Sequence, residues 1–165
     1  MLRPALRELR RDFNASSDAT RVLLLVSPTC EHCLEGAHIV ADALARAPDV
    51  DVDVLVHWLH ALSADSDAVA VSSAAAFGDD DRVRHYWEEA DGWSIASEFR
   101  PVLGLGDYDP ERFAWDVYLL YLPGASWGDT PPLPSALAHN LLSDPPVGDA
   151  QRIEAGVVDA WLAGC

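Results

Sequence analysis

Apolar residues fall into distinct rhythms along this chain. Residues 20–27 form a solid run, Thr20-Arg21-Val22-Leu23-Leu24-Leu25-Val26-Ser27. A segment apolar on both faces is expected as a central strand with parallel neighbours. In Asp51 to Leu59, Val52, Val54, Val56 and Trp58 alternate with Asp51, Asp53 and His57, the period-two pattern of a half-buried strand. Between these, residues 31–46 repeat Leu34, Ala37, Ala41 and Leu44 at helical spacing until Pro48 stops them. Met1 to Phe13 reads as an amphipathic helix with Leu2, Leu6, Leu9 and Phe13 on one side, and Asn14 to Asp18 as a polar linker.

Further along, the Ala-rich stretch from Asp65 to Phe77 predicts a helix, and Gly78-Asp79-Asp80-Asp81 a turn. Arg82 to Trp87 is expected to be a short strand. Trp93 to Leu105 is expected to be a helix through Ile95, Phe99, Val102 and Leu103, with Pro101 imposing a kink or an early stop. Phe113 to Leu122 is the clearest later strand. Pro123-Gly124 then turns the chain toward a short return strand at Ala125-Ser126-Trp127. One or two helical turns are expected at Leu137 to Leu142. Asp149 is the expected cap of a last helix with Ile153, Val157, Val158 and Trp161 on its apolar face. Helices alternating with strands argue for one α/β domain over residues 1–165, with residues 1–18 as N-terminal helix and linker.

Composition narrows the partners more than the fold. The net charge is −16 over 165 residues, aspartate outnumbers glutamate 19 to 8, and all 11 basic residues are arginine. Phosphates would be repelled, so neither nucleic acid nor an anionic membrane is an expected partner. No run approaches the roughly 20 apolar residues of a membrane span, and the charged N-terminus lacks the apolar core of a secretory signal. The cytoplasm is the expected compartment. Thiols there are mostly reduced, so paired cysteines are more often redox-active or metal-binding than structural.

Such a pair stands at Cys30-Glu31-His32-Cys33, between the apolar run and the first long helix. The N-terminus of a helix carries partial positive charge and free N–H groups, which favour a thiolate. Cys30 would sit at or just before the first turn, with Cys33 one turn deeper and within reach, the arrangement that thiol–disulfide exchange needs. The same pair can be half of a zinc or other soft-metal site if His32 or Asp116 joins it, since zinc usually takes four ligands. Cys165, the only other cysteine, reads as an incidental thiol.

The strand–Ser27-Pro28-Thr29-Cys30-Glu31-His32-Cys33–helix segment resembles the thioredoxin-like superfamily across about residues 20–47. Residues 82–127 are similar to the later part of that fold, with Leu119 to Gly124 resembling its terminal hairpin. The resemblance implies a three-layer fold with a central mixed sheet flanked by helices, extended here by the N-terminal and C-terminal helices. It implies Cys30 as attacking thiol and Cys33 as resolving thiol, with no organic cofactor. It implies a protein or small-thiol disulfide as substrate, and an electron donor. The chain departs from the family at one point: the cis-proline expected to face the thiols falls near Trp115-Asp116, and neither is proline. That departure strengthens the metal-binding or protein-binding alternative.

Five neighbours complete the candidate site. Thr29 precedes the motif. His32, when protonated, would stabilise the Cys30 thiolate, and Glu31 would oppose it by charge. Asp116 would accept the Cys33 proton, serve as a third ligand, or stand as a surface carboxylate on an alternating strand, and Trp115 would line a substrate groove or join the core. His38 is turned away from the thiols by its spacing. His57 and His60 are expected to be half-exposed at a strand end.

Overall fold

The computed structural model describes residues 3–88, 93–104, 114–140 and 151–165. Its elements run in order: β1 (Arg3–Pro4), α1 (Ala5–Ala15), β2 (Thr20–Val26), α2 (Glu31–Arg46), β3 (Val52–Trp58), α3 (Asp67–Ala74), which tightens into a 3-10 turn at Ala75–Phe77, β4 (Val83–Trp87), α4 (Trp93–Val102), β5 (Val117–Tyr121), β6 (Ala136–His139), β7 (Gln151–Arg152) and α5 (Ala155–Leu162). The expected α/β class and the three-layer arrangement are both present.

One seven-stranded mixed sheet has the order β1-β4-β3-β2-β5-β6-β7. The strand Thr20–Val26 is central, as the unbroken apolar run from Val22 to Val26 requires. It is parallel to β3, with Val22 opposite Val54, and antiparallel to β5, with Leu23 opposite Leu119. Its two sets of side chains enter separate cores. Val22, Leu24 and Val26 pack with Ala37, Val40 and Leu44 of α2 and with Val158 and Trp161 of α5. Leu23 and Leu25 pack with Leu9 and Phe13 of α1 and with Phe99 of α4. The amphipathic reading of α1 is thereby explained: Leu9 and Phe13 are its wholly buried members.

Arginine side chains tie the loop edge. Arg21 is wholly buried in β2, yet its guanidinium donates to the carbonyls of Phe13 and Ala125 at 3.0 Å and of Leu122 at 3.1 Å, and stacks over the Phe13 ring. Arg82 donates to the carbonyls of Ala47 at 2.7 Å and Leu44 at 2.9 Å, closing the C-terminus of α2 ahead of Pro48.

Several expectations are corrected. The return strand is β6 at Ala136–His139, not Ala125 to Trp127, and residues 137–139 are strand rather than helix. Apolar pairing decided this: β6 covers the free edge of β5, and the intervening segment is a wide loop in which Trp127 fills the core between Phe13 and Phe99. β3 is not half-buried. From Val54 to Trp58 it is covered on both faces, and His57 is wholly buried rather than half-exposed. Pro101 sits in the last turn of α4 and produces the early stop. The expected cap at Asp149 lies outside the described residues, and the last helix begins at Ala155 after Glu154. The two-residue strands β1 and β7 are too short to show a period.

Candidate active site

Cys30 is the N-cap of α2, with extended backbone (φ −80°, ψ 117°), and Cys33 lies in the first turn. Both are free thiols, Cys30 7% exposed and Cys33 fully buried. Their environments drive them apart. The Cys33 thiol and the backbone of Cys33 and His32 hydrogen-bond to the Cys30 sulfur and pull its pKa down to about 6, against the opposing desolvation and the charge of Asp116. Burial pushes the Cys33 thiol far up, and its hydrogen bond to Cys30 and the Asp116 charge push it further. Near neutral pH the pair therefore holds one thiolate, on Cys30, and one proton, on Cys33.

The charge of Asp116 acts on both thiols, disfavouring their ionisation. Asp116 is wholly buried immediately before β5, and its backbone takes the left-handed conformation (φ 53°). Asp is among the few side chains that accept this region, whereas a proline ring fixes φ near −65° and cannot adopt it. The conformation at Asp116 is thus one that a proline could not adopt, and no cis peptide bond occurs among the described residues. The Tyr118 hydroxyl lies 3.2 Å from Asp116 Oδ1 and 3.2 Å from the Cys33 carbonyl. Desolvation raises Tyr118 well above its usual range, so it remains a proton donor here.

Trp115 is half-buried and packs against both cores at the end of the sheet. The side chains of Glu31 and His32 face solvent. The hydrogen bond from His32 to Cys30 is a backbone one, and its carbonyl accepts from Asn140 Nδ2 at 3.3 Å. His38 is exposed, with Nδ1 2.6 Å from the Leu34 carbonyl. Thr29 is half-buried, and its hydroxyl and amide both donate to Asp65.

Among the described residues no three His, Cys, Asp or Glu side chains group as a metal would require. Asp116 and Cys33 are enclosed, while His32 points outward.

Three participants were not identified from sequence. Tyr118 sits in a strand whose pattern predicts only burial. Gly36 is where the Tyr118 ring enters α2: a Cβ there would lie 2.0 Å from its hydroxyl oxygen. Asp65 looks like an ordinary helix-start residue. Ser66 is in fact the cap of α3, accepting from Val69 N, and Asp65 faces inward.

No protein-family model matches the chain, and no curated protein matches it. Among solved structures it is similar to a secreted Mycobacterium tuberculosis disulfide oxidoreductase homologous to E. coli DsbE. That likeness has 14% identity over 90% of this chain and 83% of that one, with a TM-score of 0.54. It is also similar to a thioredoxin-like protein solved in its oxidized form, at 15% identity over 63% of this chain and 60% of that one, with a TM-score of 0.42. No described helix is long and apolar enough to cross a membrane. The strand order, the dithiol opening α2 and the first of these likenesses agree, and the chain has the fold of the thioredoxin-like superfamily.

Proposed function

We propose that this protein is a thiol–disulfide oxidoreductase. The supporting observation is the placement of the two thiols: Cys30 at the N-cap of α2, where hydrogen-bond donors pull its pKa down, and Cys33 enclosed one turn in, where burial pushes its pKa up. The Cys30 thiolate attacks one sulfur of a substrate disulfide, forming a mixed disulfide and expelling the other sulfur as a thiolate, which takes a proton from solvent. Cys33 then gives its proton to Asp116 and attacks the Cys30 sulfur. The Cys30–Cys33 disulfide forms, the second substrate sulfur leaves, and the substrate has gained the two electrons that the dithiol lost. A reductase or a small thiol restores the dithiol. Because the Cys30 thiolate is stabilised, the couple favours its reduced form and also suits the reverse, oxidising direction.

The test is direct. Alkylation of Cys30 is expected to reach half its limiting rate near pH 6, and the reduced protein to convert a model disulfide stoichiometrically while losing two mass units mapped to Cys30–Cys33. A midpoint near the ordinary thiol value of about 8.5, with no exchange, contradicts the proposal.

The role of Asp116 has its own signature. Asp116→Asn keeps a side chain that tolerates the left-handed backbone but removes the negative charge and with it the base that would take the Cys33 proton. Resolution of the mixed disulfide is expected to slow by about 100-fold at neutral pH, within the usual range for loss of a positioned base. The deficit narrows as pH rises and hydroxide replaces the carboxylate. Attack by Cys30 moves the other way, its midpoint falling below about 6 because an opposing charge is gone. Stopped-flow measurement of the two steps separates these effects, and an unchanged resolution rate removes Asp116 from the mechanism.

A further inference from the structure

Between β2 and α2 the chain makes the turn Ser27-Pro28-Thr29, and the bonds that hold it come mainly from elsewhere. Asp65, 5% exposed, is the centre of them. Its Oδ1 accepts from the Thr29 amide at 3.2 Å and from the Thr29 hydroxyl; its Oδ2 accepts from the Ala61 amide at 2.9 Å and the Leu62 amide at 2.7 Å. The buried Ser27 hydroxyl lies 3.0 Å from both oxygens. One carboxylate thus joins the turn before the dithiol to the connection that follows β3. The far end of α3 holds the same turn from its other side, where Ser73 Oγ donates to the Pro28 carbonyl at 3.2 Å.

We infer that Asp65 is a positioning residue for the dithiol, fixing the Ser27–Thr29 turn and through it the placement of Cys30 over the first turn of α2. The inference rests on the thiol-exchange reading of Cys30. The low pKa of Cys30 depends on donors from Cys33 and from the backbone of α2, and no side chain caps that helix. Thr29 is bonded to Cys30, so whatever sets the Thr29 backbone sets the approach of the sulfur to those donors. A hydrogen bond weakens steeply once its angle and distance drift.

The sign of the effect separates position from charge. A carboxylate acting on Cys30 only through its charge would oppose the thiolate, and removing it would lower the Cys30 midpoint. A carboxylate acting through position does the reverse. Asp65→Asn is the discriminating variant because asparagine has one acceptor oxygen and one donor nitrogen. It can satisfy the Thr29 side or the Ala61–Leu62 side, not both.

The experiment measures Cys30 alkylation against pH in the reduced full chain, with circular dichroism to establish that each variant is folded. Asp65→Asn is expected to raise the midpoint by about one pH unit, which at pH 6 lowers the rate about fivefold. Thr29→Val, which removes only the hydroxyl, moves it the same way by less. A folded Asp65→Asn protein with an unchanged or lowered midpoint overturns the inference. If Asp65→Asn does not fold, Thr29→Val and Ser27→Ala decide, and absence of an upward shift in both overturns it. Loss of the functional reading looks different: the parent protein itself would then show an ordinary thiol midpoint and no exchange.

Discussion

Cys33→Ser is expected to stop turnover after one chemical step and to accumulate a mixed disulfide on Cys30, whereas Cys30→Ser is expected to show no exchange above background. The two outcomes differ because the two sulfurs differ. In the proposed reaction Cys30, with its pKa pulled down to about 6, is the attacking thiolate, and replacing it with a hydroxyl removes the nucleophile; Cys33, whose pKa burial pushes up, does not begin that reaction. Serine is the right replacement at position 33, since its hydroxyl still donates to the Cys30 sulfur and leaves the first step intact. Cys165 does not rescue resolution. It follows α5, whose Asp159 pairs with Arg46 at 2.7 Å at the far end of α2, and 16 residues of helix span about 24 Å. Intact mass measurement after one equivalent of a model disulfide reads the result: an adduct of half the substrate on Cys33→Ser and none on Cys30→Ser. Equal turnover by both variants and the parent would remove the dithiol from any catalytic role.

Much of this site was legible because its chemistry is carried by local order. A buried run, a turn, and two cysteines three apart at the start of a helical period place Cys30 at the N-cap and Cys33 one turn in. Counting back along β5 from Pro123-Gly124 also singles out Trp115-Asp116 at the strand start, but an alternating strand leaves Asp116 equally readable as a surface carboxylate, and its complete burial comes from packing. The rest depends on long-range packing. Asp65 matters because two loops that are distant along the chain converge on it, and a single acidic residue before a helix carries no trace of that. His57 alternates correctly for a half-exposed strand and is wholly buried because α1 covers that face. β6 has the composition of a helical turn, Ala136-Leu137-Ala138-His139, and becomes a strand because β5 offers it an unpaired edge. Tertiary pairing overrides weak local preference at these places.

Gly36→Ala is expected to destabilise the fold by about 3 kcal/mol, the upper part of the range for overpacking a close-fitting core. Helix propensity alone predicts the opposite, a gain of about 1 kcal/mol for alanine over glycine in a helix interior. The contact decides between them. A Cβ at Gly36 would lie 2.0 Å from the Tyr118 hydroxyl oxygen and 2.4 Å from Cζ, well inside any tolerable separation. Tyr118 has no free direction in which to yield. It is wholly buried, its strand is hydrogen-bonded on both sides, and its hydroxyl is held between Asp116 and the Cys33 carbonyl. Shifting the ring would break those contacts, and shifting α2 would move Cys30 and Cys33, so the same substitution is expected to disturb thiol reactivity as well. Chemical denaturation of the reduced protein measures the loss. Repeating it with Tyr118→Leu in both backgrounds isolates the cause: once the ring is gone, the alanine should cost far less, so the double variant loses much less than the sum of the singles. If Gly36→Ala instead matches or exceeds the parent in stability, the Tyr118 ring does not occupy the notch over Gly36, and the link from β5 through Tyr118 to the dithiol helix fails with it.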